Sequence, residues 1–170
     1  RLRFGIDEVN RHHASNKPTI QKQGVLTGQQ FGDYELLDLL GRGGMGEVYK
    51  AYDGTTTMAV KILHLDMSED DDMRKRFERE AFAGMKIDHP NIVKVHTMRE
   101  QGDYYYMVMD LIDGRDLRKQ LKQEGVLDIE TALTITQKLA SALTKAHDMQ
   151  YVHRDIKPAN IMLRENGDPV

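Results

Sequence analysis

At 170 residues, 39% of them hydrophobic and 30% charged, the chain has the composition of one ordinary globular domain, with or without a tail. A formal net charge of -3 argues against a generalised nucleic-acid surface, no apolar run approaches the ~20 residues that cross a bilayer, and residues 1–30 lack the apolar core of a secretory leader. The chain has no Cys, which removes disulfides and thiolate metal sites and fits a reducing, cytoplasmic setting.

Residues 1–30 carry Gly, Asn, Gln, Lys and Pro18 with little periodicity and are expected to form a linker or N-terminal arm. From Tyr34 the pattern changes. Tyr34, Leu36, Leu37, Leu39 and Leu40 predict a strand that runs into Gly41-Arg-Gly43-Gly44-Met-Gly46-Glu-Val48. Glycines at these places let a backbone approach a ligand with no Cβ in the way, and exposed amides in such a loop can bind phosphate oxygens. Taken alone, Gly-x-Gly-x-x-Gly also fits a dinucleotide fold or a plain flexible turn. The flanks discriminate: a dinucleotide fingerprint opens a helix, whereas Glu47-Val-Tyr-Lys-Ala-Tyr-Asp53 is β-prone and leads through Gly54 into another β-prone run, 57–63.

In that third strand, alternation puts Ala59 and Lys61 on one face and Val60 on the other. A strand lysine taken alone more often keeps a sheet edge soluble. The next element changes the weighting. Ser68-Glu-Asp-Asp71 has the form of a capping box, and Met73, Phe77, Ala81 and Gly84 or Met85 recur at three-to-four spacing along one helix face. Glu80 falls on that inward face, where a carboxylate is costly without a partner; Lys61 is the obvious one, and a water-exposed Glu80 is the alternative.

Pro90 in His89-Pro-Asn-Ile-Val93 ends this helix. Residues 93–100 and 103–110 then predict a hairpin around Gln101-Gly102, completing an antiparallel sheet of about five strands. Asp113-Gly114-Arg-Asp116-Leu turns into a short helix reaching Glu124, and Asp128 caps a long helix over 128–150 with Ile129, Ala132, Leu133, Leu139, Ala140, Leu143 and Ala146 in its apolar stripe. Behind it comes Tyr151-Val-His-Arg-Asp-Ile-Lys-Pro-Ala-Asn160. A proton acceptor, a cation for a phosphate and a metal-binding amide lie in one short stretch there, a set that an ordinary solvated loop has no reason to assemble. His153 reads as a packing residue, and the remaining histidines have no metal-ligand spacing.

Four motifs, in this type and order, resemble a protein kinase of the eukaryotic type, nearest to the bacterial Ser/Thr kinases, over residues 31–170. The resemblance implies an α+β fold: a kinase N-lobe and hinge over 31–112, with a sheet and one helix, then the start of a helical C-lobe over 113–170. It implies that Gly41, Gly43, Gly44 and Gly46 roof the phosphates of ATP, and that Lys61, paired with Glu80, contacts the α- and β-phosphates. Val48, Ala59 and Met162 would sandwich the adenine, Met109 would gate its pocket, backbone groups of Asp110 and Ile112 would meet its edge, and Asp116 would reach the ribose. Asp155 would orient a substrate hydroxyl and accept its proton, Lys157 would neutralise charge on the transferring phosphoryl, and Asn160 would hold Mg2+. The implied partner is a protein carrying Ser or Thr.

The family pattern continues into an Asp-Phe-Gly that supplies the main magnesium ligand, and these 170 residues contain no such triplet. The expectation is a kinase domain cut before that point and inactive by itself, whose long helix exposes an apolar face through which copies pair or swap elements. A nucleotide-binding or pseudokinase-like interaction module without catalysis is the alternative.

Overall fold

The computed structural model describes residues 18–44, 46–64 and 71–170. Six strands form one antiparallel sheet: β1 (Gln30–Phe31), β2 (Tyr34–Gly43), β3 (Gly46–Tyr52), β4 (Thr57–His64), β5 (Val95–Gln101) and β6 (Tyr104–Met109), in the order β1-β2-β3-β4-β6-β5. The extra strand is β1, which pairs Gln30 with Glu35 and Phe31 with Tyr34. Two residues are too few to show a period, so nothing in the sequence pattern marks it.

Each face of the sheet has its own core. On the outer face, Leu36, Tyr49, Ala51, Val60, Ile62, Tyr106 and Val108 pack with Phe31 and Leu26. Residues 20–30, expected to belong to a linker or arm, therefore lie against the domain from Lys22 onward. The Leu39 amide donates to the Lys22 carbonyl (2.9 Å), that of Gly28 to Leu36 (2.8 Å), and that of Leu36 to Gln29 (2.9 Å). Most of the contact is backbone, which carries no composition signal, and only Leu26 and Phe31 bury large side chains. The sheet also curls, bringing its edges together. Gln101 at the end of β5 accepts from the Gly32 amide (2.9 Å) and donates to the Gln30 carbonyl (2.7 Å), while Tyr104 and Tyr106 each meet the Phe31 ring edge-on at 5.5 Å.

The inner face packs Leu63, Val95 and Met107 against Phe77 and Ala81 of α1 (Asp71–Lys86). Close approach to β5 requires a small residue: a Cβ on Gly84 would stand 2.3 Å from Val95 Cγ2. Of the expected capping box, Ser68, Glu69 and Asp70 lie outside the described residues.

Beyond the sheet come β7 (Gly114–Asp116), α2 (Leu117–Glu124), α3 (Ile129–Asp148) and β8 (Met162–Arg164). Asp116 caps α2 and Asp128 caps α3, accepting the amides of Lys119 and Thr131. Residues 114–116, expected to lead straight into the short helix, first pair with β8, because distant residues 162–164 supply the partner. Leu117, Ile135, Ile161 and Leu163 form the core of this part. A smaller cluster of Ala83, Ile87, Ala146 and Tyr151 joins α1 to the end of α3. At the other end of α3, Ile129 (80%) and Leu133 (64%) are exposed, as expected for an uncovered stripe.

Gly46 sits at φ 110°, and a Cβ there would lie 1.9 Å from the Ile62 carbonyl oxygen, whereas no atom lies within 4 Å of a Cβ on Gly44. Gly46→Ala is expected to lower stability by roughly 1–3 kcal/mol and Gly44→Ala by less than about 0.5 kcal/mol, as read from urea midpoints.

Candidate active site

The glycine hairpin is the turn between β2 and β3. Its register pairs Gly41 with Val48, Arg42 with Glu47 and Gly43 with Gly46, after bulges between Leu36 and Gly41. At Gly41, Gly43 and Gly44 the space a Cβ would take is open. Val48 pairs with Lys61, Lys61 with Met107, and Ala59 with Met109, and partners directly across a ladder share a face. One face of the sheet therefore carries Val48, Ala59, Lys61 and Met109. It is the face that α1 covers farther along. There Lys61 Nζ stands 2.8 and 2.6 Å from the two Glu80 carboxylate oxygens, with its side chain 13% exposed and that of Glu80 39%. Of the two readings open for Glu80, the paired one is found. The same Nζ lies 6.0 Å from the centre of the Phe77 ring.

Past Met109, the Asp110 amide donates to the Lys94 carbonyl (2.9 Å), and the Asp110 carboxylate meets His96 Nε2 at 2.6 Å. Ile112 lies in the same connection, ahead of β7. Asp116 is buried and accepts from the Lys119 amide (2.8 Å), with Lys119 Nζ at 3.2 Å. Burial works to raise its pKa, but the Lys119 contacts outweigh it and hold the carboxyl below the ordinary value. Its first duty is thus a helix cap, which a ribose hydroxyl would have to share. The β7–β8 ladder sets Met162 directly opposite Asp116.

The loop after α3 starts from the Tyr151 amide, which donates to the Ala146 carbonyl (2.9 Å), and from Gln150 at φ 61°. Burial raises the pKa of the Tyr151 hydroxyl, and the negative charge of Glu80 adds to it; the ring packs against the cluster of Ala83, Ile87 and Ala146. Sequence reading passed over Tyr151. Its signal was an aromatic residue directly before the polar set. Arg154 takes φ 61°, a left-handed conformation directly before Asp155.

Asp155, Lys157 and Asn160 come together. Lys157 Nζ lies 2.8 Å from Asp155 Oδ2, and the Asn160 side-chain amide donates both to that oxygen (2.9 Å) and to the Asp155 carbonyl (2.8 Å). The hydrogen bond from Lys157, then that from Asn160, holds the Asp155 carboxyl below its ordinary range, so it stays ionised at neutral pH. Committing Nδ2 of Asn160 to Asp155 leaves its Oδ1 as the atom for a metal. His153 departs from expectation: it is exposed rather than packed, and its Nδ1 accepts the Asp155 amide at 3.3 Å. A local loop contact of this kind has no hydrophobic period to betray it.

The protein kinase domain family matches residues 34–170. The chain belongs to this family. Among curated proteins, it is 40% identical over 147 residues to the serine/threonine-protein kinase PrkC of Bacillus subtilis, covering 85% of this chain and 23% of the relative. It is 42% identical over 138 residues to the serine/threonine-protein kinase PknD of Mycobacterium tuberculosis, covering 80% and 21%. The crystal structure of the Mycobacterium tuberculosis PknI kinase domain superposes with a TM-score of 0.75 at 32% identity, covering 86% of this chain and 61% of that one. The chain thus spans about a quarter or less of these curated relatives. The α+β arrangement expected from the sequence, an antiparallel sheet with one helix followed by helices, is that of the kinase fold.

The loop after α3 yields a direct test of the Asp155 environment. A carbon-detected NMR titration is expected to place the Asp155 carboxyl below the ordinary 3.8, and Lys157→Ala is expected to move it upward. An unchanged midpoint would contradict the assigned cause.

Proposed function

We propose that this chain supplies the nucleotide-binding lobe and catalytic loop of a Ser/Thr protein kinase that transfers phosphoryl from Mg-ATP to a protein hydroxyl. In this reading residues 31–112 form the N-lobe and hinge and residues 113–170 open the C-lobe. The observation that carries it is the closed, bidentate Lys61–Glu80 pair on the sheet face that also bears Val48 and Ala59. A cation held by one carboxylate and set beside open glycine amides fits phosphate oxygens. The donor set suits the nucleotide.

Within that reading, Gly41, Gly43, Gly44 and Gly46 cover the phosphates, Lys61 orients the α- and β-phosphates, and Glu80 fixes Lys61. Val48, Ala59, Met109 and Met162 enclose the base, with backbone groups of Asp110 and Ile112 at its edge and Asp116 toward the ribose. Asp155 positions the substrate hydroxyl and takes its proton, and Lys157 neutralises the phosphoryl oxygens. Magnesium, when bound, would neutralise the phosphate oxygens further, with Asn160 Oδ1 as one ligand and the phosphates and water as others. Among the described residues no cluster of three or more His, Asp or Glu is placed to hold a metal ion, so Asn160 fits one position of that site and does not complete it. No helix among the described residues is long and apolar enough to cross a membrane, and we place the reaction in the cytoplasm.

The reading predicts that the 170-residue chain binds ATP in calorimetry and that Lys61→Met weakens binding at least about tenfold. Incubated with labelled Mg-ATP and a basic protein, the same chain is expected to transfer no label above an Asp155→Asn control. Absence of ATP binding in the unmodified chain would overturn the nucleotide assignment. Label above the control would overturn the expectation that this stretch alone is inactive.

A further inference from the structure

The outer face of the glycine hairpin carries a polar chain that no step above uses. Glu47 stands directly across the ladder from Arg42, and Arg42 Nε donates to Glu47 Oε1 at 2.6 Å, with Nη2 also paired to that oxygen. The Tyr49 hydroxyl donates to the other oxygen, Glu47 Oε2, at 2.5 Å, and accepts the Leu26 amide at 3.2 Å. Glu47 and Tyr49 are two apart on β3, so they share a face, and Val48 between them points to the opposite face with Lys61. The chain therefore runs on the face opposite Val48 and Lys61.

Its components are held firmly at one end. Tyr49 is fully buried, and Leu26 is 6% exposed in the same cluster. Gly24 lies flat on the Tyr49 ring, where a Cβ would come within 2.4 Å of the hydroxyl oxygen. Residues 24–28 are fixed in turn by the Gly24 amide on Thr27 Oγ1 (2.8 Å), by Thr27 Oγ1 on the Leu37 carbonyl (2.9 Å) and by the Gly28 amide on the Leu36 carbonyl (2.8 Å). Asp38 accepts the amides of Gln21 and Lys22. At the other end, Arg42 lies between two glycines of the loop itself, and its side chain is 61% exposed. Burial, and then the hydrogen bond to Glu47, pushes the Tyr49 pKa up to about 12, in keeping with a hydroxyl that retains its proton for that carboxylate.

We propose that Arg42, Glu47 and Tyr49 form a clasp that sets the two strands of the glycine hairpin at fixed pitch and ties that pitch to the strap of residues 22–28. They are positioning residues: they act on nucleotide only through the backbone amides of the hairpin. This rests on the reading of the hairpin as a phosphate roof. A two-stranded glycine turn has little side-chain packing of its own, so without a cross-strand tie its amides sample many directions. The Arg42–Glu47 tie alone is exposed and weak, and its anchoring to buried Tyr49 and Leu26 is what gives it a preferred geometry.

The test is hydrogen exchange on the 170-residue chain without nucleotide. Tyr49→Phe keeps the ring and removes the hydroxyl. Amides of residues 41–48 are expected to exchange roughly tenfold faster in Tyr49→Phe and in Glu47→Gln, with α1 and β6 unchanged. Gly24→Ala, which displaces the strap from the ring, is expected to produce the same pattern. Unchanged exchange over 41–48, or an equal rise throughout the domain, would overturn the clasp. A second arm compares ATP with adenosine by calorimetry. Tyr49→Phe is expected to weaken ATP severalfold and leave adenosine unchanged, and equal loss for both would overturn a positioning role. An unmodified chain that binds neither would overturn the nucleotide reading, while the exchange arm still decides the clasp.

Discussion

An inward-pointing carboxylate and an inward-pointing ammonium constrain each other, and the Lys61–Glu80 pair ties the sheet to its helix on that account. Lys61 keeps only 13% of its side chain open, so losing Glu80 would strand a cation beside the Phe77 ring. Glu80 keeps 39% open and is less dependent. The asymmetry means that α1 must be docked for Lys61 to be held, whereas α1 docks on β5 through Phe77, Ala81 and Gly84 irrespective of charge. Apolar packing sets the helix, and the helix then sets the lysine.

The sheet serves two purposes with its two faces. The inner face carries Val48, Ala59, Lys61 and Met109, with α1 packed on it through Phe77 and Ala81. The outer face is a closed apolar core, sealed by the strap that ends in β1 and by the Gln101 contacts that draw the edges together. Such a core holds the bodies of β2 and β3 in place and leaves the glycine turn beyond it with little apolar packing of its own. Ala83 and Ile87 pack with Ala146 and Tyr151, which joins α1 to the end of α3 where the loop 151–160 begins.

Much of this was legible in the sequence wherever a period or a fixed spacing exists. The alternation through Ala59, Val60 and Lys61, the three-to-four spacing of Phe77 and Ala81, and the Asp128 cap predict elements that the structure contains. The Glu80 partner could be inferred since an inward charge admits few solutions. What stayed hidden depends on distant residues or on backbone alone. β7 forms only because residues 162–164 lie beside it, and the strap attaches to β2 largely through amides and carbonyls. The cap that Asp116 makes on α2 was likewise not read from the sequence, where it stood only in the run leading into the helix. His153 looked like a packing residue because a ring accepting a local amide leaves no pattern.

The state of Asp155 bears on which kind of chemistry the loop suits. A carboxyl held below its ordinary range by Lys157 and Asn160 is a weak base and would not remove a proton from an alcohol early in a reaction. Phosphoryl transfer through a loose transition state does not ask for that, since the attacking hydroxyl becomes acidic only as its bond to phosphorus forms. An ionised, hydrogen-bonded carboxylate serves such a reaction by fixing the hydroxyl in line and accepting the proton late. Lys157, 2.8 Å from Asp155 Oδ2, offsets part of that carboxylate's charge. The hydrogen bonds from Lys157 and Asn160 that lower the Asp155 pKa also fix the direction in which its carboxylate points.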